Sequence, residues 1–338
     1  MARIVIVGGG VIGCAVAERL SRDRRHQVLL LERDTLGAHA SGAAAGLLAP
    51  YSESGSVEFE LASRSLAAFP ELVERIERSG ISVEYRTQET ITPALTAEEE
   101  QRLQRGPGRW LEAEAALAEE PALSPAVRGA SLVTEAQITP IRLVRALAWT
   151  AVAQGAEIRE GTPVGSMTAR AGCVQAVQTS EGQVRADLVV LAAGPWSPSL
   201  ASPLGVALDV RPVRGQLVTL RPSGPVLRRM LTWRGSYLVP KPDGTVVAGS
   251  TEEEVGFDPR PTVEGVAGLL QFAARAVPAL GAAGVERVWA ALRPATPDLR
   301  PVIGPAPDLP NLLLATGHNR NGVLLAPITA ELISERLP

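Results

Sequence analysis

Cysteine and histidine are scarce in this chain, and their scarcity excludes several classes of site. Cys14 and Cys173 are the only cysteines among the 338 residues, and their wide separation fits neither a disulfide framework nor a Cys-x-x-Cys motif. The three histidines, His26, His39 and His318, are scattered along the chain, so no zinc site is expected. A chain without a disulfide framework is typical of the cytoplasm, which is the predicted location.

A surplus of positive charge is also missing. The chain has 33 lysine and arginine residues against 36 aspartate and glutamate residues, which gives a net charge of −3. Nucleic acid is therefore not an expected partner. Lys241 is the one lysine, and we interpret the preference for arginine as coding bias rather than function.

Apolar runs long enough to span a bilayer are absent as well. The apolar run that follows Arg3 resembles the start of a secretory signal peptide, but Gly8, Gly9, Gly10 and Gly13 interrupt it and no cleavage site of small residues follows. With 46% hydrophobic and 20% charged residues, the composition is that of a globular chain, and its length suits two domains or one large interrupted domain.

A glycine-rich motif between two apolar runs is the first positive signal. The run Arg3–Val7 predicts a buried strand, residues 14–22 predict a helix, and Val28–Leu31 predicts a second strand that ends at Glu32. This spacing is typical of a βαβ unit that binds a dinucleotide, in which the acidic residue accepts hydrogen bonds from a ribose.

Each glycine of the motif has a physical role. Gly8 permits a tight turn, Gly10 lets the backbone approach a pyrophosphate, and Gly13 lets the helix pack close to the strand. The motif alone does not separate NAD from FAD. The chain then turns to the small-residue run Ala38–Pro50 and returns to a Rossmann-like strand only at Asp187–Ala193, which favours FAD over an NAD-dependent dehydrogenase.

Hydrophobic spacing predicts further helices outside the motif. Residues Ser56–Gly80 are predicted to form one amphipathic helix, whose inward face would carry Leu61, Leu66, Phe69, Leu72 and Ile76. The chain is predicted to end in a helix with Pro327 near its start. A third helix is predicted over Pro140–Gly155, with one face formed by Leu143, Leu147 and Val152.

Six segments carry a resemblance to a known family. In chain order they are Ile4–Gly13, Ser41–Leu48, Leu191–Ser197, Trp289–Asp298, Pro301–Gly304 and Gly317–Pro327. On these motifs the chain resembles the D-amino acid oxidase superfamily, and most of all its bacterial glycine oxidase branch. It departs from that branch at Leu47, where methionine is common, and in the acidic run Thr251–Glu254, so the preferred substrate is open.

The resemblance implies an α/β fold (α+β overall) with two domains. One is a Rossmann-like FAD-binding domain, and the other is a β-rich substrate-binding domain. The predicted bounds are 1–80, 136–204 and 291–338 for the first domain, and 81–135 and 205–290 for the second.

The resemblance also implies which residues contact FAD. Phosphate, ribose, pyrophosphate and flavin contacts would come from Val11, Ile12, Glu32, Arg33, Ala40, Ser41, Ala45, Gly46 and Leu47. Val164 would meet the adenine, and the flavin would be closed in by His318, Asn319, Arg320, Asn321, Gly322, Val323 and Leu324. Covalent attachment in this superfamily uses a cysteine near the C-terminal segment. No cysteine follows Cys173, so FAD is expected to be non-covalent.

Substrate binding falls, by the same resemblance, to Arg293, Tyr237 and Arg320. A guanidinium can make two parallel hydrogen bonds to a carboxylate, and a phenol can donate a further one. Structural roles stay open for all three residues, as a surface ion pair, a strand aromatic and a loop cap. For His318, a structural or flavin-contacting role is favoured over proton transfer.

The implied reaction is hydride transfer from the α-carbon of glycine, or of a similarly small amino acid, to flavin N5. No protein residue is therefore predicted as catalytic. The product would be an imine, and oxygen or another acceptor would take the electrons. A role in thiamine biosynthesis and a homotetramer are also implied. The alternatives are sarcosine, a D-amino acid or a 2-hydroxy acid as substrate, and an FAD-binding subunit without turnover.

Overall fold

A computed structural model describes residues 1–50 and 56–337 and divides the chain into two compact units. The first unit comprises Met1–Tyr85, Ile138–Val213 and Leu292–Pro338, and the second comprises Arg86–Gln137 and Arg214–Ala291. The largest difference from the sequence-based bounds is at Val213, because the strand that begins at Arg211 starts in one unit and ends in the other.

The described residues contain strands and helices throughout. The strands are β1 Arg3–Val7, β2 Gln27–Leu31, β3 Leu47–Leu48, β4 Arg86–Ala94, β5 Arg109–Glu112, β6 Gly129–Gln137, β7 Glu157–Arg159, β8 Val164–Arg170, β9 Cys173–Thr179, β10 Gly182–Arg185, β11 Leu188–Leu191, β12 Arg211–Arg221, β13 Met230–Trp233, β14 Ser236–Pro240, β15 Val246–Gly249, β16 Gly284–Ala295, β17 Val302–Ala306 and β18 Leu309–Thr316. The helices are α1 Val11–Ser21, α2 Ala40–Ala43, α3 Val57–Ala67, α4 Phe69–Glu77, α5 Ala97–Gln104, α6 Ala113–Glu119, α7 Pro140–Ala153, α8 Ser197–Ala201, α9 Val263–Ala276 and α10 Gly322–Ser334. Within the ranges that the structure describes, none of these helices has both the length and the apolar character to cross a bilayer.

The first unit contains a six-stranded sheet in the order β17-β18-β11-β1-β2-β7. Its strands are parallel, except that β17 runs antiparallel to β18. Strands β1 and β11 consist almost wholly of buried valine, isoleucine and leucine, as expected for strands covered on both faces. The predicted Rossmann-like sheet is confirmed. A smaller antiparallel sheet of the same unit has the order β10-β9-β8.

The segment predicted as one helix over residues 56–80 is two helices, α3 and α4. The hydroxyl of Ser56 caps α3 by accepting from the Phe59 N–H at 3.1 Å. Pro70 lies in the first turn of α4, where its missing N–H costs nothing, and it begins a new helix rather than continuing the first. Of the residues predicted to face inward, Phe69, Leu72 and Ile76 are buried, whereas Leu61 and Leu66 are only half-buried.

Helix α7 confirms the predicted helix but not its predicted face. Leu143 and Leu147 are buried, whereas Val152 is 49% exposed. Val152 lies nine positions after Leu143, and at about 100° per residue this is about two and a half turns, so the two side chains point to opposite sides of the helix. The prediction that Val152 shares the buried face was therefore wrong.

Pro327 lies inside α10 rather than near its start. A proline inside a helix removes one N–H and opens the preceding turn. The buried hydroxyl of Ser65, on α3, occupies this turn: it donates to the Leu324 carbonyl at 2.6 Å and accepts from the Ile328 N–H at 3.3 Å. The hydroxyl thus replaces a backbone bond that the proline disturbs.

The second unit contains a mixed sheet in the order β16-β12-β15-β14-β13-β4-β6, with β5 also paired to β6. One face of this sheet packs with α6 and α9 in an apolar core that includes Ile91, Leu132, Leu231 and Leu238. The other face carries Thr90, Ser131 and Gln137, each less than 5% exposed, and Tyr237. Both faces of this sheet therefore hold buried residues, one apolar and one polar.

Candidate functional site

Three segments with predicted roles, and a fourth that carries the family resemblance, follow directly on the carboxyl ends of four parallel strands. The glycine loop 8–13 follows β1, Glu32 follows β2, residues 192–196 follow β11, and residues 317–322 follow β18. Parallel strands end at the same edge of a sheet, so the topology gathers these segments at one edge of the first unit. This edge is the candidate site.

Two glycines of the loop are sterically required. Gly8 has a φ of 111°, and a Cβ there would lie 2.4 Å from the carbonyl oxygen of Ala192. A Cβ on Gly13 would lie 1.9 Å from the carbonyl oxygen of Gly8. Helix α1 therefore packs against the end of β1 at a distance that only glycine permits.

Glu32 is held in place by backbone groups. Its carboxylate accepts from the Gly9 N–H at 2.6 Å through one oxygen and from the Asp34 N–H at 2.9 Å through the other. The side chain is buried, and each oxygen keeps a second lone pair. The carboxylate is thus oriented and can still accept hydrogen bonds from a ribose.

The N-terminus of α1 provides groups that suit a phosphate. Its first turn has no acidic residue, and its cap residue, Gly10, offers no side chain. The Val11 N–H donates to Ser41 Oγ at 2.9 Å, so the hydroxyl proton of Ser41 remains available to another acceptor. The positive end of the helix dipole and this O–H together favour an anion.

The small-residue segment after β2 is fixed beside the glycine loop. The Gly37 N–H donates to the Gly9 carbonyl at 3.0 Å, and Gly42 donates to the Gly37 carbonyl at 2.9 Å. Further along, a Cβ on Gly46 would lie 1.9 Å from the Ile138 carbonyl oxygen. The predicted cofactor contacts in this segment are half-buried at Ala40, Ser41 and Leu47 and buried at Ala45 and Gly46.

Val164, the predicted adenine contact, begins strand β8 of the small sheet. The segment that leads to it is joined to the end of β2, because the Thr162 N–H donates to the Glu32 carbonyl at 2.8 Å and Gly161 donates to the Asp34 carbonyl at 2.9 Å. The structure therefore brings this segment beside the residue predicted to bind the ribose.

Arg293 and Arg320 lie on two segments that the backbone pairs. Ala295, two residues after Arg293, forms an antiparallel bridge with His318, two residues before Arg320. Arg293 is half-buried near the end of β16, and Arg320 is exposed in a single turn of 3-10 helix over residues 319–321. Two of the three predicted substrate residues are thus placed on adjoining segments of the first unit.

His318 is buried and uncharged. It is 3% exposed, and its Nε2 lies 2.9 Å from the hydroxyl oxygen of Thr329. Burial lowers its pKa to about 3, so the imidazole is neutral at physiological pH. This supports the structural role predicted for His318 over one in proton transfer.

Two buried polar atoms at this edge lack a protein partner. Within the described part of the chain, neither Asn319 Oδ1 nor Ser197 Oγ has a hydrogen-bond partner. A buried acceptor without a donor is costly, so a ligand or water that supplies one would be stabilised there. Together with the glycine loop and Glu32, these atoms fit a bound dinucleotide.

Sequence reasoning did not assign a site role to Trp196 or His39. The Arg33 guanidinium lies 3.8 Å from the ring centroid of Trp196, and the His39 ring lies 4.7 Å from it. Asp34 accepts from Arg33 at 2.9 Å and contacts His39 Nε2 at 2.7 Å. The sequence offered one signal for Trp196, which is its position. Trp196 ends the segment that follows β11, and the glycine loop follows β1 in the same way.

A metal could also be considered at this cluster. Ligand atoms of Glu32, Asp34 and His39 lie within 4.8 Å of one another, the one such group found in the described ranges. The Arg33 guanidinium bonds Asp34 at 2.9 Å and places a positive charge beside the group, which disfavours a metal cation there.

Tyr237, the third predicted substrate residue, lies on β14 in the second unit. Its ring lies across Gly249 of β15, where a Cβ would come within 2.8 Å of the phenol oxygen. The residue is half-buried on the polar face of the sheet. Its part in substrate binding stays a prediction.

Comparisons with known proteins agree with the motifs. The family model described as "FAD dependent oxidoreductase" matches residues 3–336. The chain is 36% identical to a glycine oxidase of Geobacillus kaustophilus, over 98% of this chain and 92% of that protein. It is also 39% identical to the bifunctional protein ThiO/ThiG of Synechocystis, over 98% of this chain. The chain spans about half the length of that bifunctional relative, 51%.

Solved structures show the same relationship. The crystal structure of glycine oxidase from Geobacillus kaustophilus matches with a TM-score of 0.93 at 35% identity, over 99% of this chain and 94% of that one. L-proline dehydrogenase from P. horikoshii matches with a TM-score of 0.88 at 22% identity, over 99% of this chain and 92% of that one, which shows a shared fold alone. The predicted resemblance, fold class and FAD cofactor are confirmed. This chain belongs to the family of FAD-dependent oxidoreductases.

Proposed function

We propose that this protein oxidises glycine, or a similarly small amino acid, to the corresponding imine and passes the electrons to oxygen. The observation that carries the proposal is the paired placement of Arg293 and Arg320 beside the cofactor edge of the first unit. Glycine oxidases that match over more than 90% of both chains support the choice of substrate.

Arg293 is proposed to bind the substrate carboxylate. A guanidinium forms two parallel hydrogen bonds with a carboxylate, and Pro294 stiffens the backbone directly after it. Arg320, on the adjoining turn, would add a second positive charge. Tyr237, in the second unit, is proposed to donate its hydroxyl to a carboxylate. Arg293 and Arg320 would orient the α-carbon, and bound flavin would supply the hydride acceptor.

The proton on the substrate amine is not assigned to a protein base. His318 is the only histidine in the C-terminal turn, and it is buried, hydrogen-bonded to Thr329 and neutral. We infer that solvent removes this proton before the α-carbon reacts. The proposed cofactor contacts are those predicted above, with Trp196 and His39 added at the ribose end. The ThiO/ThiG relatives support the implied role in thiamine biosynthesis.

Anaerobic addition of glycine to the purified yellow protein tests the proposal. The flavin absorbance is expected to bleach, and hydrogen peroxide is expected to appear when air is admitted. Bleaching by sarcosine, a D-amino acid or a 2-hydroxy acid but not by glycine would replace the substrate. Protein that binds FAD and is bleached by none of these would contradict an oxidase and favour an FAD-binding subunit.

Substitution of Arg293 tests the carboxylate site. Arg293→Ala removes two charge-assisted hydrogen bonds of about 1.5–3 kcal/mol each, so KM for glycine is expected to rise on the order of 100-fold or more. FAD content should not change. Arg300→Ala is the matched control, because this exposed arginine follows the same strand and pairs with Glu58. Equal glycine kinetics in Arg293→Ala and the wild type would remove Arg293 from the site.

A further inference from the structure

The ladder between β12 and β15 contains an extra residue next to Tyr237. Leu217 pairs with Gly249, and further along Arg214 pairs with Glu253. Two residues of β12, 215–216, therefore lie opposite three residues, 250–252, of the other segment. This is a β-bulge, a feature that re-aims the side chains beyond it and is common beside active sites.

The backbone beyond the bulge is paired again at one point. The Arg214 N–H donates to the Glu253 carbonyl at 2.8 Å, and the Glu253 N–H donates to the Arg214 carbonyl at 3.0 Å. Gln216 reinforces the pairing, because its N–H donates to Thr251 Oγ1 at 2.9 Å. The bulged segment is therefore closed at both ends, by Gly249 and by Glu253.

Side chains fix which face the segment presents. Glu253 accepts from Arg214 at 3.1 Å and from the Gln216 amide at 2.7 Å, and Thr251 donates to the same carboxylate at 2.5 Å. Arg214 and Gln216 belong to the face of β12 that carries the apolar core. By alternation, Thr251 and Glu253 share that face, and Glu252 lies on the face of Tyr237.

Arg214 and Glu253 form a largely buried ion pair. The Arg214 side chain is 5% exposed and that of Glu253 is 25% exposed. Burial alone would raise the pKa of Glu253, but the hydrogen bonds from Thr251, Arg214 and Gln216 outweigh it and hold the pKa below its usual value. Loss of the carboxylate charge would leave the Arg214 guanidinium buried with Asp258, at 3.8 Å, as its remaining acidic neighbour among the described residues.

The position of the Tyr237 hydroxyl depends on the residue at which the bulge begins. A Cβ on Gly249 would lie 2.7 Å from Tyr237 Cε2 and 2.8 Å from its phenol oxygen, so the ring lies directly over this backbone. Any shift of Gly249 moves the surface on which the phenol rests. The bulge and the phenol are thus mechanically connected through a close contact.

We propose that Glu253 is a positioning residue that, through Arg214 and Gln216, fixes the bulged end of β15 and thereby the hydroxyl of Tyr237 for a substrate carboxylate. The inference rests on the proposed function, since it assumes that Tyr237 binds a substrate carboxylate. Glu253 itself lies on the opposite face of the sheet from Tyr237, so it acts only through the backbone.

The test is Glu253→Gln in the FAD-bound protein, which keeps the side-chain volume and removes the charge. KM for glycine is expected to rise about 10-fold while kcat stays within about twofold, because only a binding interaction is weakened. The dissociation constant for acetate, followed by the change in the flavin spectrum, should rise by the same factor. Gly249→Ala, which displaces the phenol directly, should do likewise.

A double substitution separates positioning from general destabilisation. If Glu253 acts through Tyr237, adding Glu253→Gln to Tyr237→Phe should raise KM by less than about twofold, since the two changes are not independent. Glu119→Gln is the matched control, because it breaks another ion pair of the second unit, with Arg229 at 2.6 Å. Its KM should equal that of the wild type.

Three outcomes would overturn the inference. They are an unchanged KM and acetate affinity in Glu253→Gln, an equal rise in Glu119→Gln, and full additivity with Tyr237→Phe. A wild type that binds acetate but does not oxidise glycine would contradict the proposed function alone, and the acetate comparison would still decide the role of Glu253. A wild type that does neither would contradict both.

Discussion

The two units hold their predicted ligand groups by different means. At the cofactor edge of the first unit, the shape depends on the backbone, because a Cβ on Gly8 or Gly13 would overlap a carbonyl oxygen. In the second unit, the surroundings of Tyr237 depend on side chains, because Glu253 accepts hydrogen bonds from Arg214 and Gln216 across the β-bulge. Backbone constraints tolerate no added atom, whereas side-chain constraints can be weakened by degrees.

This difference explains why one region is read from sequence more easily than the other. A requirement for glycine at Gly8 and Gly13, five residues apart, is local and leaves a motif. A bulge depends on the register between strands that are far apart in the chain, and no single residue in the sequence indicates where it lies. Mutations should therefore abolish the first site and tune the second.

The largest effect is expected for Gly13→Ala. Its Cβ would lie 1.9 Å from the Gly8 carbonyl oxygen, so α1 must move away from β1. We expect a loss of about 3 kcal/mol in the free energy of unfolding and a protein purified without flavin. Denaturant titration and the ratio of flavin to protein absorbance measure the two effects.

Gly268→Ala is the control for this prediction. Gly268 lies within α9 of the second unit, and a Cβ there would meet nothing within 4 Å. Alanine in an open helical position is expected to stabilise by up to about 1 kcal/mol. If Gly13→Ala kept both its flavin and its stability, the backbone of the loop would not constrain the shape of the cofactor edge.

The sequence predicted the cofactor edge well for the same physical reason. Strand β1, the glycine loop and Glu32 are consecutive, and their pattern is set within about 30 residues. Two helix predictions failed at prolines. Pro70 is a local signal and starts a second helix where one was predicted. Pro327 is accommodated inside α10 by a tertiary contact, because Ser65, far away in sequence, occupies the opened turn.

Other features could not be predicted because they depend on pairing. The contact between Arg33 and Trp196 joins the ends of β2 and β11, and it exists only once the sheet order is known. The burial of a polar sheet face in the second unit is equally invisible, because an alternating strand normally predicts one solvated face.

An effect that reaches a similar size only at high pH, and that leaves the cofactor edge untouched, is expected from Glu135 on that polar face. Burial raises its pKa to about 7, against an opposing hydrogen bond from Thr90 at 2.5 Å. The unfolded chain releases this proton near pH 4.5, whereas the folded chain holds it up to about pH 7. The stabilisation is therefore complete below pH 4.5 and is lost as the pH rises to about 7, by up to about 3 kcal/mol.

Glu135→Gln should remove this loss, because the amide does not ionise. The variant is expected to be more stable than the wild type at pH 8, and the difference should shrink toward pH 4.5. Chemical unfolding at several pH values gives the comparison. Glu114→Gln, at an exposed glutamate of α6, should follow the wild-type curve. Parallel curves for Glu135→Gln and the wild type would show that Glu135 is ionised in the folded protein.

The smallest effect is expected for Ser65→Ala, which tests a side chain that supports the cofactor edge of the first unit. Ser65→Ala removes the hydroxyl that bonds the Leu324 carbonyl at 2.6 Å and the Ile328 N–H at 3.3 Å, directly after the turn predicted to contact the flavin. Two buried backbone groups would lose a partner, so the free energy of unfolding should fall by about 1–2 kcal/mol. Ser63→Ala, at a half-buried serine of the same helix, should cost less than about 0.5 kcal/mol. Equal losses of unfolding free energy in the two variants would mean that α10 accommodates Pro327 without the Ser65 hydroxyl. A larger loss in Ser65→Ala with full flavin content would place the contribution of Ser65 in α10 alone, because the cofactor edge would then keep its shape without it.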